Sequence, residues 1–178
     1  MLARWDRAVV EAFQDAHWHP ADVVFLHLSD WWVKSLVIVG LGLAADLWSR
    51  RLPVAAALST VAYFAAGGIA DVLKDVFDRP RPSLVDPAVH PLVAVPDSYA
   101  MPSGHAATAF GAAVAVALLH RRLGAAVLGL AALVALSRVW LGVHYLSDVL
   151  VGAALGSAVS LTLWICARGI IGARTSSP

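Results

Sequence analysis

Residues 101–110 read MPSGHAATAF. Pro102 fixes the backbone ahead of a helix. Ser103 is of the type that caps one, its oxygen accepting from the unpaired N–H groups of the first turn. The chain then runs small, apolar and uncharged to Leu119. Such a stretch reads as a bilayer-grade helix, for which the hydrocarbon core asks about 20 apolar residues, within a range of about 17–25. The outward N–H groups and the helix dipole make its mouth an anion site. Gly104 has no side chain to block an approaching anion, and His105 is placed to give a proton to whatever binds there. The same four residues also make an ordinary helix start with an incidental histidine. The stretch therefore decides the fold but not, by itself, the function.

Composition extends the reading to the whole chain. Of 178 residues, 60% are hydrophobic and 14% charged, with a mean hydropathy of +0.74. Soluble domains run at about 45–50% apolar and about 25% charged. Five stretches have the length and character of spans: residues 31–48, 52–73, 102–119, 123–141 and 145–167. The fold class is all-α, a polytopic membrane helical bundle with five transmembrane helices and one amphipathic N-terminal helix. A net charge of +1 gives no reason to expect a nucleic-acid partner. Cys166 is the single cysteine, so no intramolecular disulfide is expected.

The N-terminus has no continuous apolar run and no small-residue cleavage site, so it is not read as a signal peptide. Leu2, Trp5, Val9, Ala12, Phe13 and Ala16 recur at helical spacing, with Arg4, Asp6, Arg7, Glu11 and Asp15 on other faces. This predicts a helix lying in the membrane interface. His17, Trp18, His19 and Pro20 end it, and Trp18, Trp31 and Trp32 are expected at headgroup depth. His17 and His19 face apart on a helix and are read as interfacial, not as a metal pair. Residues 1–30 are thus an interfacial segment, 31–170 the transmembrane domain and 171–178 a flexible tail. The connection 78–101 carries Pro80, Pro82, Pro87, Pro91 and Pro96 and is expected as an ordered loop without helix, with His90 at the edge of a pocket.

Short-loop arginines set the orientation. Arg50 and Arg51, Arg121 and Arg122 with His120, and Arg168 and Arg174 share one side of a five-span bundle. That side is expected to be cytoplasmic, with His120 among the headgroups. Lys74, Arg79, Arg81 and Arg138 lie at the opposite ends of their spans. Ionisable groups there are costly and usually functional.

Three clusters meet at that outer level: KDVFDRPRP (74–82), PSGH (102–105) and SRVWLGVHYLSD (137–148). His144 and Asp148 are four apart, on one helical face, so the carboxylate orients the imidazole and leaves its other nitrogen free to attack. Arg138 can hold a phosphoryl group through two hydrogen bonds. Lys74 and Arg81 add positive charge at the same depth. Taken singly, these residues also fit snorkelling, headgroup attraction and a chance His–Asp pair. Together they describe phosphoryl transfer through a histidine nucleophile with a second histidine as acid. No carboxylate cluster suits two divalent ions, so no metal and no cofactor are expected.

The three clusters match, in order and at every signature position, the motifs K-x-x-x-x-x-x-R-P, P-S-G-H and S-R-x-x-x-x-x-H-x-x-x-D. The chain thereby resembles the type 2 phosphatidic acid phosphatase superfamily over about residues 55–165. The resemblance implies that His144 attacks phosphorus and becomes phosphohistidine, that Asp148 orients it, and that His105 protonates the leaving oxygen. It implies that Lys74, Arg81, Ser103, Gly104 and Arg138 hold the phosphate. Arg79 is not a signature position and is left as an accessory contact. Membrane members usually carry six helices, against five spans and one amphipathic helix here.

The implied partner is a lipid phosphate or diphosphate within the plasma membrane, met at the extracytoplasmic face. The short chain and compact loops look most like bacterial undecaprenyl diphosphate phosphatases. Phosphatidylglycerol phosphate, phosphatidic acid and a phosphoribosylated polyprenyl phosphate are the other candidates. A vanadium haloperoxidase shares such an anion pocket but is soluble, a transporter would line a path through the bilayer with its charges, and a non-catalytic lipid-phosphate binder would keep the pocket alone. Gly67-Gly68 and Gly152-x-x-x-Gly156 read as close helix contacts. The second serves either packing within the chain or a homodimer.

Overall fold

The computed structural model describes residues 2–30, 33–49 and 52–175. These form α1 (Leu2–Asp15), α2 (His19–Ser29), a π-helical turn (Val33–Val37) running into α3 (Ile38–Trp48), α4 (Val54–Phe77), α5 (Pro82–Val85), α6 (Gly104–Leu119), α7 (Arg121–Trp140) and α8 (Leu146–Thr175). No strand occurs among the described residues. Trp31, Trp32, Arg50 and Arg51 lie outside them.

The bundle is built around α6, which packs on α4, α7 and α8 and touches α3. Its composition explains the position. Ala106, Ala107, Ala109, Ala112, Ala113 and Ala115 are fully buried, so neighbouring backbones come close on several sides. Where lipid and protein are equally apolar, association rests on such close contact and not on expulsion of water. Large apolar side chains point the other way: Leu43 and Leu47 on α3, Val61, Phe64 and Val72 on α4, and Leu150, Leu161 and Ile165 on α8 are exposed.

Glycines set the closest approaches. A Cβ on Gly156 would stand 2.1 Å from the Ala107 carbonyl oxygen, and one on Gly152 would stand 2.4 Å from that of Ser103. The Gly152-x-x-x-Gly156 motif therefore seats α8 on α6 within the chain. A Cβ on Gly67 would stand 3.0 Å from Thr108 Cγ2, but one on Gly68 would meet nothing within 4 Å, so only the first of that pair sits at a close approach.

Among the described residues, three helices are long and apolar enough to cross a membrane, reaching over Val54–Val85, Arg121–Trp140 and Leu146–Arg168. The other two expected spans are shorter apolar helices, Ser35–Trp48 and Gly104–Leu119. α6 starts late because residues 100–103 are extended and bend against α8, with the Ser103 N–H donating to the Asp148 carbonyl at 3.0 Å. α8 continues as helix to Thr175, past the end expected near Ala167.

Several expectations need correction. The 78–101 connection is not free of helix: Pro82 stands at the first position of the single turn α5, where a missing N–H costs nothing. α1 forms where expected, but its docked face is rotated. Asp6 and Val10 are buried while Trp5, Ala12 and Ala16 are not, because the helix lies against α7 and α8 at the end that carries the polar clusters. His17 is stacked on the Trp140 ring at 5.2 Å and donates to the Trp140 carbonyl at 3.0 Å. Phe13 and Phe25 close on the same indole. His120 is no headgroup contact. Its Nε2 meets Asp46 Oδ1 at 2.7 Å, and Asp46 Oδ2 accepts from the Ala55 and Ala56 N–H groups, capping α4 from its neighbour. His90 is exposed, and its backbone N–H donates to Gln14 Oε1 of α1 at 2.9 Å.

The turn between α7 and α8 rests on Gly142, at φ 73°. A side chain there would be strained, and its Cβ would lie 3.1 Å from Val89 Cγ1 and 3.3 Å from Gln14 Nε2. Gly142→Ala is expected to cost about 1–2 kcal/mol from the left-handed backbone alone. The check is a lowered thermal midpoint of the detergent-purified protein.

Candidate active site

The turn after α7 delivers His144 to the end of the bundle. The Arg138 carbonyl accepts both the Val143 and the His144 N–H, at 3.3 and 3.2 Å, and folds the chain back. α8 then begins, and Asp148 falls in its first turn with one oxygen accepting from the Tyr145 N–H at 2.8 Å. His144 is 3% exposed and Asp148 is fully buried.

The two ring nitrogens of His144 have different neighbours. Nδ1 faces Asp148 Oδ2 at 3.5 Å, longer than a full hydrogen bond. Nε2 lies 3.1 Å from Arg81 Nη1. A guanidinium has donors only, so Nε2 must be the acceptor and the ring proton sits on Nδ1, toward the carboxylate. That tautomer leaves the lone pair on the nitrogen that faces the cations. Burial, and then the charges of Arg81 and Arg138, pull the imidazole below its ordinary value to about 4, against the raising effect of Asp148. The ring is thus neutral at physiological pH.

Arg81 is 2% exposed. Nη1 also donates to the Val143 carbonyl at 2.9 Å, and Nε and Nη2 reach the carbonyls of Pro96, Ser98 and Tyr99. The side chain thereby ties the proline-rich loop over the site. Arg138 is 5% exposed and donates from Nη1 to Ser29 Oγ, while its buried Nε–H has no partner among the described residues. His105 donates from Nε2 to the Ser29 carbonyl at 3.2 Å. Ser103 caps α6 through its hydroxyl, which accepts from the Ala106 N–H at 3.5 Å. Lys74 Nζ holds Asp71 at 2.7 Å and stands 3.8 Å from where a Cβ on Gly104 would be.

Every predicted site residue therefore lies at this one end. His144, Asp148 and Arg81 are in direct contact. Arg138 and His105 are joined through Ser29, and Lys74 borders the α6 N-terminus. Sequence reasoning missed Ser29, which no motif marks, and put Asp6 no more closely than off the apolar face of α1. Arg79 is taken up by carboxylates: Nη1 donates to Asp148 Oδ1 and to Ser147 Oγ, both at 2.6 Å, and Nη2 donates to Asp6 Oδ2 at 2.8 Å. The repeated Arg-Pro of residues 79–82 was the one hint that two arginines work here. Among the described residues no group of three or more His, Cys, Asp or Glu side chains is arranged to hold a metal ion.

The model of the PAP2 superfamily matches residues 55–171. The chain belongs to the PAP2 superfamily. That match takes in all three motifs and every residue just described except Asp6 and Ser29. The chain is 41% identical over 97 residues to a protein named decaprenylphosphoryl-5-phosphoribose phosphatase from Mycobacterium tuberculosis, covering 54% of this chain and 52% of that protein. The chain thus spans about half the length of that curated relative. The fold is that of a transmembrane PAP2-type phosphatidylglycerolphosphate phosphatase from Bacillus subtilis, with a TM-score of 0.72 at 23% identity over 95% of this chain and 87% of the other. The crystal structure of Aquifex aeolicus LpxE gives a TM-score of 0.68 at 23% identity, covering 88% of this chain and 93% of that one.

Proposed function

We propose that this chain is a membrane lipid phosphatase that removes phosphate from a polyprenyl-linked phosphate or diphosphate by way of phosphohistidine at His144. The observation that carries the reading is the His144 ring itself. It is neutral, its proton is held toward Asp148, and its lone pair faces Arg81.

In the first step Nε2 bonds to phosphorus and the bond from phosphorus to the leaving oxygen breaks, while His105 gives that oxygen a proton. In the second, water bonds to phosphorus as the N–P bond breaks, and His105 takes the water's proton. The equatorial oxygens gather charge throughout. The Arg81 Nη1–H released when Nε2 bonds to phosphorus, the Arg138 Nε–H, Lys74 and the first N–H groups of α6 behind Ser103 and Gly104 supply donors for it. The exposed apolar flanks of α3, α4 and α8 keep the site at lipid level, so the substrate presents its phosphate without leaving the bilayer. The site faces the extracytoplasmic side, since Arg121 and Arg122 mark the other end.

Undecaprenyl diphosphate suits the short chain. The relative named as a phosphatase of a phosphoribosylated decaprenyl lipid favours that second substrate. The test is inorganic phosphate release by detergent-purified protein in EDTA, from both lipids and from phosphatidylglycerol phosphate. One polyprenyl substrate is expected to exceed phosphatidylglycerol phosphate by at least about tenfold in kcat/KM. Preference for the glycerolipid would overturn the polyprenyl assignment, and no release from any lipid would overturn the enzyme.

A further inference from the structure

α1 carries a fully buried carboxylate, Asp6. A buried charge is costly unless it is paired and hydrogen-bonded. Apolar residues would have docked the helix at less cost. Asp6 Oδ1 accepts the Ser147 N–H at 3.0 Å, and Oδ2 accepts from Arg79 Nη2 at 2.8 Å and from Ser147 Oγ. Ser147 is the residue before Asp148 in the first turn of α8. Asp6 thereby caps the helix end that bears Asp148, and it holds the guanidinium that grips Asp148 Oδ1 at 2.6 Å. The Tyr145 ring covers that guanidinium, 4.1 Å from the ring centre, so few other partners reach it.

The charges decide what this arrangement does. Arg79 lies between two carboxylates, each within ion-pair distance. The set Asp6, Arg79 and Asp148 carries one net negative charge. Without Asp6, Arg79 and Asp148 would form a neutral pair whose opposite charges largely cancel at His144, whereas a net charge in a buried site of low dielectric acts strongly. With Asp6 in place, the excess negative charge is available when His144 becomes positive on bonding to phosphorus. We infer that Asp6 is a positioning residue of the phosphoryl-transfer site: it holds Arg79 in place and offsets the Arg79 charge beside Asp148, so that Asp148 both orients His144 and balances its developing charge. The inference rests on the phosphatase reading above.

The test compares kcat and KM for wild type, Asp6→Asn and Asp6→Asn/Arg79→Gln on the lipid that wild type hydrolyses fastest. Asparagine keeps the shape and the acceptor for Ser147 while removing the charge. Asp6→Asn is expected to lower kcat by about 10–100-fold, a charge-stabilisation effect, with KM within about threefold because no phosphate ligand is touched. The double variant removes the cation that Asp6 offset, and kcat is expected to rise again above that of the single variant. A merely structural contact gives the reverse order, since two lost partners undock α1 further. Unchanged kcat in Asp6→Asn, or a double variant slower than the single, overturns the role. Should Asp6→Asn not fold, the double variant decides alone: kcat within about tenfold of wild type upholds the role, and a larger loss overturns it. Wild type inactive on every lipid phosphate overturns the phosphatase reading together with this role, whereas an active wild type with an unaffected Asp6→Asn overturns this role only.

Discussion

Replacement of His144 by alanine is expected to lower phosphate release by about 10⁴-fold or more, the scale on which losing a covalent nucleophile acts. Binding should survive. Lys74, Arg138 and the α6 N-terminus are untouched, and Arg81 keeps its carbonyl partners at Val143, Pro96, Ser98 and Tyr99. The variant should therefore purify folded and retain affinity for an inert phosphonate analogue of the substrate. The pH profile of wild type gives a second check on the same residue. Burial holds the His144 imidazole down to about 4, so the ring loses its proton, and gains its nucleophile, as pH rises through that value. The acid limb of kcat/KM should fall below about pH 5 and not near the ordinary histidine value of about 6.5. An alanine variant with more than a hundredth of wild-type activity would sink the nucleophile assignment.

Gly156→Val is expected to lose both fold stability and activity. Its Cβ would stand 2.1 Å from the Ala107 carbonyl oxygen and 2.7 Å from the Gly111 nitrogen, both backbone atoms that cannot rotate away. Overpacking of a core commonly costs about 1–3 kcal/mol, and a backbone clash lies at or beyond the upper end. The activity follows because the α6–α8 seam that Gly156 closes also joins the Ser103 N–H to the Asp148 carbonyl, the link between the anion-binding helix end and the His144 pair. Gly68→Ala and Gly129→Ala are the controls, since neither Cβ would meet an atom within 4 Å. Thermal midpoints in detergent should fall sharply for Gly156→Val and stay or rise slightly for the controls. Equal midpoints for all three would count against the seam.

His144 and Asp148 were legible because they lie four apart and a helix start brings such a pair together without help from the rest of the chain. Ser103 was legible for the same reason: a cap acts within three residues, on Ala106. The apolar runs announced a helical membrane bundle because the hydrocarbon core demands length and apolarity that are written along the chain. Arg81 was found by its motif, yet its contacts with Pro96, Ser98 and Tyr99 were not, because loop carbonyls leave no mark on sequence.

Other contacts joined residues that no local rule relates. Asp6 reaches Arg79 across 73 positions, Arg138 reaches Ser29 across 109, and His120 reaches Asp46 across 74. A polar residue on an amphipathic helix looks solvated until the helix is docked, and the rotation of α1 that buries Asp6 depends on the shape α7 and α8 present to it. The sequence by itself determined where the long apolar helices run, which end of each carries charge, and which histidine has a carboxylate one turn away. Those follow from spacing along one chain segment. Only the tertiary structure decided that Gly152 and Gly156 serve packing within the chain, that Arg79 pairs with Asp148 and Asp6, and that Ser29 lies against Arg138 and His105. Those depend on how separate helices meet, where close contact and charge pairing choose the partners.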